Sequence, residues 1–200
     1  MEFPASIKKL IEEFSKLPTV GPKTAERFVF YLLRKNNQEL KALSEAILSL
    51  KNNIKLCQNC FSVSETNPCS LCTNPNRSKE SICVVATYRD LLNVEKTKQY
   101  NGQYHILGGV INPIEGFTPD KLTIKQLINK VNNQNIKEVI IALNPNLEGE
   151  TTTLYLNKTI KQINQKIKIS RIARGLPIGS DLEYADEMTI SNALKYRNEI

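Results

Sequence analysis

Val139-Ile140-Ile141-Ala142-Leu143-Asn144-Pro145-Asn146-Leu147-Glu148-Gly149-Glu150 joins an apolar run to a polar, carboxylate-bearing one. The first five residues, rich in β-branched side chains, predict a strand buried on both faces. Runs 82–85, 104–107 and 167–173 have the same texture, and helical patterns lie between the strands at about 88–97, 121–132 and 150–165. Strands alternating with helices imply βαβ units, a mainly parallel sheet and right-handed crossovers. Open sheets of this kind bind ligands at the carboxyl edges of their strands. Interest therefore falls on Ala86 and Thr87 after the first strand and on residues 144–150 after the third.

Upstream the pattern is helical. Ile7, Leu10, Ile11 and Phe14 recur at i, i+3, i+4, i+7 and predict a helix over 4–16. Leu17-Pro18-Thr19-Val20-Gly21-Pro22 breaks it, and Pro22 suits the first turn of a second helix, where a missing N–H costs nothing. Ala25, Phe28, Val29, Leu32 and Leu33 form the expected buried face of that helix, and a third runs from about 38 to 54. A tight turn containing Gly21 presents backbone N–H groups at a helix start, a site suited to phosphate. Lys23 and Arg27, four apart on one face, add two phosphate contacts to a DNA-gripping reading. The alternative is an ordinary helical hairpin with solvated charges.

Between these parts lies Cys57-x2-Cys60-x8-Cys69-x2-Cys72. Each Cys-x2-Cys knuckle places two thiolates on one face of a tetrahedral ion, and four ligands leave no position for water. The spacing predicts one structural Zn2+ per chain, expected as a fold staple between the helical and α/β parts; redox cysteines or chance clustering are the competing readings. Cys83, in an apolar run, is expected as a buried core thiol. The polar run Thr73-Asn74-Pro75-Asn76-Arg77-Ser78 reads as a domain boundary.

Composition sets the outer limits. Of 200 residues, 40% are hydrophobic and 24% charged, which is ordinary for a globular protein, and no apolar stretch is long enough to span a bilayer. No signal peptide is visible at the N-terminus, so a cytoplasmic location is expected. The formal charge of +7 permits a polyanionic partner without demanding one. His105 is the single histidine, which removes most triad and acid–base mechanisms; a satisfied core role is expected for it. No P-loop sequence occurs, so no ATPase of that type is expected.

The order and spacing of the α/β elements resemble a Toprim domain, the module that topoisomerases, primases and some nucleases use for Mg2+ chemistry. Active members place a Glu after the first strand and a DxDxxGE-like run after the third. Here those positions hold Ala86, Asn144 and Asn146, with Glu148, Gly149 and Glu150 remaining. Neutral amides and an alanine do not supply the carboxylate charge that two-metal phosphoryl transfer needs, so no enzymatic activity is expected. Glu148 and Glu150 are read either as ligands of one weak ion, as acceptors for a partner's basic groups, or as solvated carboxylates favoured by a helix N-terminus. The competing functional classes are a Toprim nuclease using the remaining carboxylates and a zinc-finger regulator reading sequence. The turn-rich residues 61–68 are too short to supply a recognition helix for the latter.

Taken together, the hairpin sequence 17–27, the cysteine quartet, Tyr104-His-Ile-Leu-Gly-Gly, Ile114-Glu-Gly, Asn144-Pro-Asn-Leu-Glu-Gly-Glu and the run from Arg174 to Asp186 resemble the RecR family of bacterial recombination mediators. The resemblance runs nearly end to end and implies four parts. These are a helix-hairpin-helix DNA-binding region (1–55), a four-cysteine zinc finger (56–73), a Toprim-like domain (80–175) and a C-terminal extension (176–200) expected to contact another copy. It implies recombinational DNA repair with RecO, and in some members RecF, loading RecA on DNA coated by single-strand-binding protein. It further implies nucleoid association, rings that are commonly tetrameric, DNA contact through Lys23 and Arg27, and partner contact through Glu148 and Glu150.

Overall fold

The computed structural model describes residues 3–197 and Glu199, which divide into two compact units between Ile54 and Lys55. In the first, α1 (Ala5–Ser15) packs on α2 (Pro22–Leu32) and is followed by α3 (Asn37–Asn53). The hairpin closes on edge-to-face ring pairs, Phe14 against Phe28 at 5.7 Å and Phe3 against Phe30 at 5.8 Å. Its buried face is narrower than the sequence predicts: Ala25 and Val29 are buried, whereas Phe28 and Leu33 stay exposed. α3 starts at a capping box, Asn36 accepting from Glu39 N–H and Glu39 from Asn36 N–H. Its apolar residues find no cover, because Leu43, Ile47, Leu48 and Leu50 are all exposed and none of its described residues is buried.

The second unit begins with the cysteine knob. A short antiparallel ribbon, β1 (Lys55–Leu56) with β2 (Val63–Ser64), flanks the first knuckle, and a single turn, α4 (Ser70–Thr73), carries the second. β3 (Ser81–Val85), α5 (Tyr88–Lys96), β4 (Gln103–Ile106), α6 (Ile124–Asn133), β5 (Glu138–Ala142), α7 (Leu147–Ile163) and β6 (Lys168–Arg171) then alternate as the sequence predicts. The four strands are parallel in the order β4-β3-β5-β6. The first crossover leads from β3 to β4 on one side and the next returns to β5 on the other, so the order in which strands are laid down reverses between β3 and β5.

Alternation along the strands divides the core. Ile82, Val84, Val139 and Ile141 point to one face and pack with Leu127 and Val131 of α6 and Leu156 and Ile160 of α7. Cys83, Val85, Tyr104 and Ile106 point to the other, where they meet Leu91 of α5 and the knob's Cys57, Cys60 and Cys69. The knob is therefore part of this unit's core. It also covers a sheet edge, since Ile106 N–H, on the outer side of β4, donates to Cys60 O at 2.9 Å. The 73–78 loop, which reads in sequence as a boundary, is anchored from inside. Arg77 donates to Gly102 O at 2.9 Å and pairs with Glu95, while Ser78 N–H donates to Asn101 O at 2.8 Å.

Beyond β6 a 3-10 turn (Leu182–Tyr184) leads into α8 (Glu187–Lys195), N-capped by Asp186, whose Oδ1 accepts from Thr189 N–H. Among the described residues no helix is long and apolar enough to cross a membrane.

His105 is fully buried, but only half satisfied. Its Nε2 lies 2.9 Å from both the carbonyl and the hydroxyl of Thr123, and that hydroxyl already donates to Ile106 O. Two acceptors require Nε2 to carry the hydrogen, so Nδ1 holds a bare lone pair with no partner. Burial lowers its pKa to about 3, the nearby Lys130 charge adds to that, and the Thr123 bond opposes it. Below its ordinary pKa near 6.5 the unfolded chain binds a proton that the folded chain refuses, so stability is present above that pH and falls between 6.5 and 3. From pH 7 to pH 5 the wild type should lose about 2 kcal/mol more than His105→Gln in urea unfolding. Equal losses in the two proteins would contradict this account.

Candidate functional site

Three places carry chemistry. At the knob, the four sulfurs of Cys57, Cys60, Cys69 and Cys72 lie within 4.8 Å of one another. Sγ–Sγ separations are 3.5 Å for Cys60–Cys69 and 3.8 Å for Cys57–Cys72. A tetrahedron with Zn–S bonds near 2.3 Å has edges of about 3.8 Å, so the quartet fits one zinc ion. Local geometry sets this up. Phe61 takes a left-handed conformation (φ 63°) that turns the chain so that Cys57 N–H reaches Ser62 O at 2.8 Å. Gln58 N–H donates to Asn67 Oδ1 at 2.9 Å and ties the two knuckles together. Hydrogen bonding from Cys72 first, then from Ser62 and Cys69, holds the Cys60 thiol down at about 4, while the same contact with Cys60 and burial push Cys72 up. Cys83, by contrast, is raised to about 12 by burial alone and is the core thiol its sequence context predicts.

At the hairpin, Gly21 is the N-cap of α2 in an extended conformation with no side-chain cap, and Pro22 follows it. The left-handed residue of the turn is Thr19 (φ 67°), and Gly21 itself is extended. Lys23 and Arg27 project from the exposed side of α2, and no carboxylate pairs with either among the described residues. Arg34, just beyond the end of that helix, is likewise exposed.

At the carboxyl edge of the sheet, the non-acidic residues are used structurally. Thr87 caps α5 together with Asp90, and Asn146 caps α7 by accepting from Gly149 N–H at 2.9 Å. Gly149 is required by space: a Cβ there would stand 1.9 Å from Asn144 O. Glu148 and Glu150 both fall in the first turn of α7, yet their surroundings differ. Glu150 is gripped by Arg171, at 3.3 Å, and by Arg174, whereas Glu148 has no ion-pair partner among the described residues. A cavity of about 420 Å³ lies beside this clamp, lined by Glu150, Arg171, Arg174, Asp186 and residues of α8. Sequence reading missed both arginines, because nothing in a linear pattern says that the chain beyond α7 returns to Glu150.

Replacing a zinc ligand should show in the metal and in the fold. Cys57→Ser is expected to lose bound zinc and to lower the melting temperature, and chelator should lower the wild-type value toward that of the variant. A variant that melts at the wild-type temperature would remove the knob's structural role.

Four family models match along the chain. They describe a RecR helix-hairpin-helix over residues 7–51, a RecR zinc-finger domain with four cysteine ligands over 54–74, a Toprim domain over 80–173 and a RecR C-terminal region over 175–198. The chain is 48% identical to the Recombination protein RecR of Gloeobacter violaceus, covering 97% of this chain and 98% of that protein. It is 46% identical to the Recombination protein RecR of Gloeothece citriformis, covering 99% and 98% respectively. Matches of that identity over nearly the whole length, with zinc, hairpin and sheet geometry in agreement, place this chain in the RecR family of recombination proteins.

Proposed function

We infer that the protein is a non-catalytic DNA-binding mediator of recombinational repair, which acts with RecO, and with RecF where that partner occurs, to load RecA on single-strand-binding-protein-coated DNA. The observation that carries the DNA contact is the pair of exposed cations without carboxylate partners, Lys23 and Arg27, beside the uncapped start of α2. Lys23 and Thr24 N–H groups, the helix dipole and two side chains all favour phosphate there, and none of them reads a base. Absence of catalysis rests on residue chemistry at the Toprim edge. Ala86 offers no ligand, Asn144 and Asn146 are neutral, and Asn146 is already engaged as a helix cap.

The partner surface is assigned to the α7 start, with Glu148 as its free carboxylate and Glu150 as a residue shaped by its arginine clamp. Residues 1–55 then serve DNA, 56–73 zinc, 80–175 the partner, and 176–200 self-association. Self-association into a ring, taken as tetrameric, is supported by exposed apolar surface on α3 (Leu43, Ile47, Leu50) and on α8 (Met188, Leu194). A ring would gather several Lys23/Arg27 pairs around one strand or duplex, and phosphate contacts add across subunits.

The test is fluorescence anisotropy of labelled duplex across a salt series with Mg2+ present, for the wild type and Lys23→Ala/Arg27→Ala. The double variant should bind at least about tenfold more weakly, with a log–log salt slope shallower by about 2, one per lost phosphate contact. Unchanged binding would move the DNA site off the hairpin, and cut DNA on a denaturing gel would overturn the non-catalytic reading. Light scattering at micromolar concentration should return a multiple of the chain mass; a monomer with and without DNA would end the ring proposal.

A further inference from the structure

A zinc ion held by four thiolates leaves the site with a net charge of about −2. Here three of the four ligands are buried, and the cluster shares its core with Val85, Tyr104 and Ile106, so water screens that charge poorly on the sheet side. Counter-charge must come from the protein. His105, whose ring lies 5.2 Å from Phe61 at the first knuckle, is neutral. Arg77 and Lys79 line the cavity of about 600 Å³ beside Cys60 and Cys72, but Arg77 is neutralised by Glu95 and Lys79 is exposed to solvent.

Lys130 has the opposite deficiency. It sits in the last turn of α6, lines the same cavity, and is drawn out of full solvent exposure. No carboxylate pairs with it among the described residues. Its ammonium instead donates to Asn59 O, a carbonyl inside the Cys57-x2-Cys60 knuckle. Burial lowers its pKa, and the four knob cysteines, led by Cys72, act in the other direction. A cation without an anion thus stands next to an anionic cluster without a cation.

We propose that Lys130 is the outer-sphere counter-charge of the zinc site, so that α6 of the Toprim layer and the cysteine knob are held together by the metal's own charge. Residues that orient or neutralise a metal's ligands from the outer sphere typically change affinity by about 10- to 100-fold when lost. Lys130 is then a positioning residue: it touches the knuckle backbone and acts on zinc through the field at the sulfurs. The zinc finger and the Toprim layer, already packed together through the shared core, gain an electrostatic tie at this side chain.

The experiment follows zinc transfer from the purified full-length protein to the chromogenic chelator 4-(2-pyridylazo)resorcinol, at pH about 7.5 and low salt, with circular dichroism to verify folding. Lys130→Met should release zinc about 10- to 100-fold faster than the wild type. Lys130→Arg, which keeps the charge, should stay within about threefold, and Lys79→Met, on the same cavity but solvated, should match the wild type. Lys130→Gln retains a donor for Asn59 O and removes only the charge; it should be as fast as Lys130→Met, and it is read alone should the Met variant fail to fold. Wild-type release from Lys130→Gln would overturn the proposal. So would equal acceleration in Lys130→Arg and Lys130→Gln, which would assign the effect to packing.

Discussion

Parallel pairing of β3 with β5 is the constraint on which the second unit depends. Five register pairs, from Ser81 with Glu138 to Val85 with Ala142, bring together strands separated by a helix, a strand and another helix. That pairing fixes the reversal of strand order between them and brings the ends of β3 and β5, Val85 and Ala142, side by side, so that Ala86 and Leu143 leave the sheet together. It also places α5 on one face and α6 and α7 on the other. With α6 on the face opposite α5, the last turn of that helix reaches the knob through Lys130. The knob in turn closes the β4 edge, so the metal site and the sheet limit one another's geometry.

Much of this is legible in the sequence because the signals are local. Strand 139–143, the two Cys-x2-Cys knuckles and the Pro22 helix start are each decided by neighbours within a few residues, and the structure places them as expected. What escapes is non-local. In sequence Glu150 looks free because its arginines arrive from β6 and the segment after it, and Arg77 looks like part of a linker because Glu95 and Gly102 lie across the fold. His105 looks satisfied because a sequence cannot show that one ring nitrogen has two acceptors and the other has none. At α3 the periodicity correctly predicts a helix, but amphipathicity says only that a face wants cover and never says which surface supplies it.

The substitutions at the Toprim edge are better understood as reassignment than as loss. An Asp at position 146 would also cap a helix, so Asn146 keeps the structural half of the role and gives up the charge. Gly149 keeps its place because the α7 start lies too close to Asn144 O for any side chain. The start of α7 is thus held in place by capping and packing demands that have nothing to do with metal chemistry.

The Glu150 clamp has an electrostatic consequence of its own. In this chain Glu150 is matched by two guanidiniums, Arg171 and Arg174, while Glu148 in the same turn and Asp186 across the cavity stay outside that clamp. With both guanidiniums drawn onto it, Glu150 repels a passing polyanion less than a free carboxylate would, so the edge's negative field is set mainly by the carboxylates outside the clamp.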